Sequence, residues 1–333
     1  MKNKMKFGII GAGMVAHMHA TALADSDIGE LIAVADNNFE AAKAFAEKWG
    51  VTAYENYDKM LESDIEVVCI CTPSCFHVEN AIQALKCGKH AVVEKPMALT
   101  VEDADRVIAA GEKYGKLISV ISQIRFSDDI TKVKNAIEDG LLGKISLCTL
   151  TMKYYRSEEY YSSSNWKGTL KYDGGGALMN QGIHGVDIAQ YIMGGIKNSV
   201  GKITTCYHNI EAEDTAVAIV EFECGALGTI VASTCASPGF ARMIEIHGDR
   251  GYAVIRENTL EKLVIDGKAV NEDEMLGVSR VNSASDPSAI DMSLHRRQLE
   301  NVVRAARGEE RLLIDGHEGR KAVKIITDIY NRF

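Results

Sequence analysis

Short apolar runs and amphipathic segments alternate along the first third of the chain. Phe7 to Ile10, Leu31 to Ala35, Val67 to Cys71, Ala91 to Val93 and Leu117 to Ile121 are almost wholly apolar and too short for helices, which predicts strands buried on both faces. Between them, Met14 to Ala24, Phe39 to Trp49, Val78 to Lys86 and Val101 to Tyr114 repeat their apolar residues at helical spacing, and the joints hold Gly, Asn, Pro or Asp. Strands that alternate with helices in this way pair in parallel, so the prediction is an α/β, doubly wound sheet with helices on both faces.

After about residue 125 the rhythm changes. A helix over Ile130 to Asp139 stops at Gly140, and a long alternating segment, Ile145 to Tyr155, follows. Then come the glycine run Gly174-Gly175-Gly176, a helix over Ala177 to Met193, and strand-like segments at Val200 to Tyr207, Thr215 to Phe222, Gly228 to Thr234, Met243 to His247, Tyr252 to Ile255 and Leu260 to Ile265. Strands joined by short turns pair antiparallel. Asn271 to Pro287 is polar and irregular and predicts a surface loop, and two helices, over Ser288 to Arg307 and Glu318 to Arg332, close the chain. The expected organisation is a nucleotide-binding domain over residues 1–123 and an α+β domain over 124–333, built on a large, mostly antiparallel open sheet. The closing helices are free to pack back on the first domain.

Composition narrows the function classes. With 333 residues, 46% hydrophobic and 25% charged, the chain can bury two cores, which excludes disorder. Its 37 basic and 46 acidic residues give a net charge of −9, which repels nucleic acid and anionic membranes. The densest basic stretch, His295-Arg296-Arg297 with Arg304 and Arg307, is spread among acids and reads as a solvated helix face. The basic start, Met1 to Lys6, leads into an apolar run that glycines break at once, so no signal peptide or membrane span is expected, and the cytoplasm is the expected location. Eight cysteines, at 69, 71, 75, 87, 148, 206, 224 and 235, form no CxxC pair; reduced thiols and no metal site are expected.

The strongest local motif joins the first strand to the first helix. In Gly8-Ile-Ile-Gly11-Ala-Gly13-Met14-Val15-Ala16, Gly11 can make a tight turn, Gly13 can let a pyrophosphate approach the backbone, and Ala16 can pack helix on strand. Met14 and Val15 open the helix whose free amides and positive dipole end would face the phosphates. Asp36 ends the second strand where a ribose-binding carboxylate is expected. Because Asn37 and Asn38 bring no cation to offset a 2′-phosphate, the cofactor expected is NAD rather than NADP.

Two further motifs carry candidate chemistry. Glu94-Lys95-Pro96 follows the fourth apolar run, at the carboxyl edge where open α/β sheets bind ligands. A partly desolvated ammonium there can hydrogen-bond a substrate hydroxyl and relay its proton, although a lone lysine in such a place is more often simply exposed. In Asp173-Gly-Gly-Gly-Ala-Leu-Met-Asn180-Gln181-Gly-Ile-His184-Gly-Val-Asp187, a glycine loop precedes a helix on which Asn180 and His184, four apart, share a face. A single helix histidine is usually structural; beside a nucleotide-binding domain it becomes a candidate acid–base group.

Together, in this order and spacing, these motifs and Cys71-Thr72-Pro73-Ser74 resemble the Gfo/Idh/MocA oxidoreductase family over essentially the whole chain. The resemblance implies a Rossmann domain that binds NAD(P), a second domain whose large open sheet carries the substrate, and sheet faces that build homodimers or homotetramers. It makes Lys95 a catalytic lysine, places His184 beside the reacting carbon, and puts Thr72 and Pro73 along the cofactor cleft. The cofactor set it suggests is Gly11, Gly13, Met14, Val15, Asp36, Asn37, Thr72, Pro73, His77, Glu94 and Lys95. One position departs from the family pattern. Many members carry aspartate where this chain has Asn180, and an amide cannot titrate, so proton transfer falls on His184 or Lys95. The Asn-Gln-Gly-Ile-His form resembles sugar 3-dehydrogenases, including those for nucleotide-linked uronic acids.

Substrate signals lie in Tyr154-Tyr155-Arg156, Glu158, Tyr160, Tyr161 and Asn165-Trp166-Lys167-Gly168-Thr169. Aromatic rings cover the apolar faces of sugars while amide and charged groups read hydroxyls, and Arg156 and Lys167 suit a carboxylate or phosphate. The plainer reading makes these tyrosines half-buried sheet residues and these cations solvated. Substrate contacts are thus expected from Lys95, Arg156, Trp166, Lys167, Asp173, Asn180 and His184, and catalysis from Lys95, His184 and Asn180. The expected activity is NAD-dependent oxidation of a secondary hydroxyl of a sugar or polyol, at C3 of a pyranoside or nucleotide uronic acid. Inositol dehydrogenation, NAD-dependent glycoside hydrolysis and a non-catalytic NAD-binding regulator are the alternatives.

Overall fold

The computed structural model describes residues 3–270 and 292–331. The loop expected at Asn271 to Pro287 and the first residues of the helix expected from Ser288 lie outside them. The chain divides into two compact units, one of Met1–Gln123 with Asp291–Val323 and one of Ile124–Ile290 with Lys324–Phe333.

The first unit runs β1 (Met5–Ile10), α1 (Met14–Ala24), β2 (Gly29–Ala35), α2 (Phe39–Trp49), β3 (Thr52–Tyr54), α3 (Tyr57–Leu61), β4 (Val67–Ile70), α4 (His77–Lys86), β5 (His90–Val93), α5 (Val101–Tyr114) and β6 (Ile118–Val120). Its strands form one parallel sheet in the order β3-β2-β1-β4-β5-β6, so the chain reverses direction at β1, where such sheets bind dinucleotides. The apolar runs are central because they are buried on both faces: Phe7, Ile9, Val67, Val68, Cys69 and Val92 are inaccessible to solvent. Caps set the helix ends. The Asn38 and Thr100 side chains accept from Ala41 and Asp103 amides, and α2 and α5 end at Gly50 and Gly115 with φ of 68° and 62°, a left-handed turn that favours glycine.

The second unit runs α6 (Asp128–Glu138), β7 (Ile145–Lys153), α7 (Glu158–Ser162), a π-helical turn over Ala177–Gly182, α8 (Ile183–Ile192), then β8 (Ile196–Thr204), β9 (Thr215–Phe222), β10 (Leu227–Ser233), β11 (Met243–Gly248), β12 (Gly251–Arg256), β13 (Thr259–Ile265) and β14 (Lys268–Ala269). The sheet order is β14-β13-β12-β11-β7-β10-β9-β8. Two meanders flank β7, and only the β7–β10 pair is parallel. Alternation puts Cys148, Leu150, Met152, Ala216, Ala218, Val220, Ile230, Ala232, Ile244 and Ile246 on the buried face. Gly185 lets α8 lie close on that face, since a Cβ there would stand 2.4 Å from the Met152 sulfur. On the opposite face Leu147, Val200, Val217, Ile219 and Leu227 stay exposed; Val200 pairs with Ile219, and Leu227 with Leu147.

The last helices are α9 (Met292–Ala306) and α10 (Gly316–Asn331). In the first unit α9 buries Leu299, Val302 and Val303 in the core that holds Phe7, Ala20 and Phe45. Its Gln298 side chain donates to the Val120 carbonyl (2.7 Å) and accepts from the Ser122 amide (3.1 Å), closing the β6 edge of the sheet.

The structure corrects one local expectation. The single α-helix expected over Ala177 to Met193 begins instead as a π-turn, in which the Gln181 amide reaches back five residues to the Gly176 carbonyl (3.2 Å). A distant acid explains the wider turn. The Glu213 carboxylate accepts from the Gly176 (2.9 Å) and Leu178 (2.7 Å) amides, its carbonyl accepts from Ala177 (2.8 Å), and a Cβ on Gly176 would stand 2.1 Å from that carbonyl oxygen.

Candidate active site

In the first unit the candidate residues gather at the carboxyl ends of the strands. Gly11 has φ +97°, and a Cβ there would meet the Cys71 carbonyl oxygen at 2.7 Å, so the turn after β1 needs glycine twice over. A Cβ on Gly13 would meet nothing within 4 Å, which leaves open surface beside the backbone. Gly13 is also the N-cap of α1 and offers no side-chain cap, so the first amides of that helix remain for an anion. Met14 is 61% exposed, Val15 is half-buried and Ala16 is fully buried against the core.

Asp36 is fixed from both sides. One carboxylate oxygen accepts from the Ala12 amide and the other from the Asn38 amide, each at 2.8 Å, while Asn37 between them is exposed. A carboxylate offers about four acceptor positions, so this one can still take ribose hydroxyls. Open helix amides and a preset carboxylate together fit a dinucleotide.

Thr72, Pro73, His77, Glu94 and Lys95 form the adjoining rim. The His77 ring sets Nε2 2.9 Å from the Thr72 carbonyl and Nδ1 2.7 Å from the Pro96 carbonyl, which ties the segment after β4 to the segment after β5; burial pushes its pKa down. Glu94 is buried, with Oε1 2.7 Å from His19 Nε2 and Oε2 accepting from the Lys95 amide at 3.2 Å. Burial works to raise the Glu94 pKa, but the hydrogen bond and charge of His19 outweigh it and hold it at about 2. Both side chains therefore hold the backbone that carries Thr72 and Lys95. Sequence reading did not single out His19, which looks like one more residue on an apolar helix face.

In the second unit a chain of polar contacts links several of the predicted residues. Asp173, 1% exposed, accepts from the Gly168 amide (2.9 Å) and from the Asn180 side chain (2.6 Å). Gln181 Nε2 donates to the Asn180 side-chain oxygen (3.1 Å) and to the Tyr160 hydroxyl (2.9 Å), and Gln181 Oε1 accepts from Arg156 Nε (3.1 Å) and Nη2 (2.7 Å). Arg156 is itself buried, and its remaining terminal nitrogen donates to the Tyr155 carbonyl at 2.7 Å. Lys167 Nζ stands 4.2 Å from the Tyr160 ring centre, and burial lowers its pKa. Trp166, half-buried, closes the adjacent turn by accepting from the Thr169 hydroxyl at 2.7 Å.

Over residues 175–190 the side chains are buried except Asn180, Gln181 and His184, so the π-turn and α8 present these three together. Tyr330 of α10 braces the turn by donating to Glu213 (2.7 Å) and accepting from the Met179 amide (3.3 Å). Asp187, one turn beyond His184, meets Arg125 through two hydrogen bonds, of which the Nε–Oδ2 bond is 2.8 Å. Sequence reading singled out neither Glu213, Tyr330 nor Arg125, because each acts from a different segment; Gln181 could have been found as the neighbour of Asn180.

Residues 5–122 match the oxidoreductase family with NAD-binding Rossmann fold, and residues 130–254 match the GFO/IDH/MocA C-terminal domain. A myo-inositol 2-dehydrogenase of Thermotoga maritima is 30% identical over 270 residues, 78% of either chain. The chain belongs to the Gfo/Idh/MocA oxidoreductase family. Two other similar proteins widen the comparison. D-glucoside 3-dehydrogenase of Escherichia coli is 33% identical over 195 residues, 57% of this chain and 54% of that protein. The crystal structure of the WlbA dehydrogenase from Bordetella pertussis in complex with NADH and UDP-GlcNAcA is 29% identical with a TM-score of 0.88, covering 99% of this chain and 96% of that one. The expected family, fold class, oxidoreductase activity and NAD cofactor of this Gfo/Idh/MocA member are thus borne out. Among the described residues no helix is long and apolar enough to cross a membrane.

Proposed function

We propose that this Gfo/Idh/MocA member is an NAD-dependent dehydrogenase that oxidises a secondary hydroxyl of a sugar, with C3 of a pyranoside or nucleotide-linked uronic acid as the preferred position. The reaction class is NAD-dependent sugar dehydrogenation, in line with relatives named for inositol and D-glucoside and a structural neighbour bound to UDP-GlcNAcA. The observation that carries the reading is the fixed polar chain Asp173–Asn180–Gln181–Tyr160, with His184 beside it and an aromatic ring at its end. Amides and hydroxyls in preset orientations read a polyol, and a ring covers its C–H face.

Bound NAD supplies the hydride acceptor. This chain's residues supply the rest: the α1 amides and Asp36 hold the cofactor, and Lys95 and His184 hold and move the hydroxyl proton. Asn180, clamped between Asp173 and Gln181, orients the substrate without titrating. Arg156 works through Gln181, and Lys167 meets a substrate carboxylate or phosphate. The enzyme works in the cytoplasm, where its eight free cysteines stay reduced.

The test is turnover of a panel of inositols, free hexoses, glycosides and nucleotide-linked uronic acids, followed by NADH absorbance and ketone product. The expected result is NADH formation with a pyranose substrate, with NAD preferred over NADP by about tenfold or more because Asp36 repels a 2′-phosphate. Release of free sugar without net NADH, or no turnover of any polyol, would overturn the reading.

The exposed apolar face of the second sheet is the surface for self-association. Val217 and Ile219 are 49% and 58% exposed at its centre, where a charge would be desolvated on pairing. Ile219→Lys is therefore expected to turn a dimer or tetramer into monomers, read by light scattering; an unchanged mass would place the interface elsewhere.

A further inference from the structure

A second constellation in the Gfo/Idh/MocA C-terminal unit takes no part in the chemistry above. His208 in the β8–β9 connection, Asp214 just before β9 and Cys235 just beyond β10 place their ligand-type atoms within 4.8 Å of one another. His208 and Asp214 are buried, whereas Cys235 is half-exposed and gives the cluster a side open to solvent. We propose that His208 Nδ1, the Asp214 carboxylate and Cys235 Sγ bind one divalent cation of the zinc class, with a fourth position left to water.

The histidine is already oriented for this. Its Nε2 lies 2.8 Å from the Arg156 carbonyl oxygen, which can only accept, so Nε2 carries a proton and Nδ1 is the nitrogen turned inward. A second-nitrogen bond to a backbone carbonyl is the arrangement that orients metal-ligating histidines. Facing Nδ1 are the Asp214 carboxylate, at 3.4 Å, and the Cys235 sulfur, at 3.7 Å. Three ligand-type groups thus converge on one point.

The Nδ1–Oδ2 and Nδ1–Sγ separations are those of a tetrahedral centre. Zinc bond lengths near 2.05 Å to nitrogen or oxygen and 2.3 Å to sulfur put nitrogen and oxygen about 3.4 Å apart, and nitrogen and sulfur about 3.6 Å apart. Asp214 Oδ2 accepts from the Tyr207 and His208 amides and Oδ1 from the Cys206 amide, at 2.8–2.9 Å, so of about four acceptor positions the one left open is on Oδ1, the oxygen that would take the cation. Cys235 starts as a thiol and donates weakly to the Asp214 carbonyl at 3.8 Å. Binding releases that one proton to solvent, and the resulting thiolate and carboxylate neutralise the dication, which suits a mostly buried site. Thr215 and Ser233 hydroxyls and the rings of Tyr161 and Tyr207 pack around these ligands and add no further charge.

Cobalt reports thiolate ligation by colour. Full-length protein, stripped with chelator and kept reduced, is titrated with Zn²⁺ alone and with Co²⁺ alone. The expected result is one equivalent bound, a thiolate-to-cobalt charge-transfer band with tetrahedral visible bands, and a melting temperature that zinc raises. Cys235→Ala should abolish the charge-transfer band and weaken zinc by about tenfold or more, with the metal-free melting temperature little changed. His208→Asn gives a second reading at a different ligand, and Cys206→Ala and Cys224→Ala, at exposed thiols, should keep the band. No stoichiometric metal, or a band that survives Cys235→Ala, overturns the site.

Discussion

Lys95→Ala is expected to lower kcat by about 10²- to 10⁴-fold, the contribution of a positioned proton-transfer group, while NAD affinity stays within about twofold. The structure explains why the two effects separate. In the proposed function the NAD-binding surface is the α1 amides and Asp36, which hang on the Gly11 turn and on the Ala12 and Asn38 amides, none of which involves the Lys95 side chain. Lys95 is instead carried on backbone fixed by the Glu94–His19 and His77–Pro96 contacts, so its removal leaves that framework standing. Arginine should rescue poorly, because a guanidinium holds its proton too tightly to relay it. Single-turnover rates with saturating NAD, beside NAD titration by fluorescence quenching, measure both quantities; an unchanged kcat removes Lys95 from the mechanism.

Asp187→Asn is expected to destabilise the second unit by about 3–5 kcal/mol, although the side chain keeps its size. Arg125 is fully inaccessible and Asp187 only 6% exposed, so neutralising the acid takes the carboxylate that accepts two of its hydrogen bonds away from a permanent, buried guanidinium charge. Tyr191 stacks beside that guanidinium at 4.4 Å, which adds cation–π attraction without offsetting the charge. The surface pair Arg250–Asp266, about half exposed on both sides, is the internal control: Asp266→Asn should leave the transition where it is. Urea unfolding followed by a probe in the second unit checks the contrast. Equal, small effects at both sites would show that Asp187 does not carry that load, and its place in the motif with His184 would then need a catalytic explanation.

What the sequence could and could not reveal follows from the range of the interactions. Helices α1, α2 and α5 begin and end where periodicity and capping residues put them, because those signals are local. Strands β1, β4 and β5 are legible as apolar runs because they are covered on both faces. By contrast, β3 has three half-exposed or exposed residues paired on one side only, with β2, too few to show any period. The π-turn was invisible for another reason. Its cause, Glu213, lies 37 residues from Gly176, and no pattern around Gly174 to Gly176 announces where an acid will come from. Arg125 and Tyr330 are hidden in the same way, as is the His208–Asp214–Cys235 cluster, whose spacing matches no metal motif. Arg156 looked like a free reader of anions but is a buried brace for Gln181, a difference that only tertiary contacts decide.

The proposed function makes its most exposed claim in giving both Lys95 and His184 a part in transfer of the hydroxyl proton. A double-mutant cycle in kcat/KM tests it directly, using Lys95→Ala, His184→Ala and the pair together, with the best substrate of the panel. Groups that act as a unit are not additive, so the double variant should be about as slow as the slower single variant. A double variant slowed by the full product of the two single effects would show two independent roles and contradict the account.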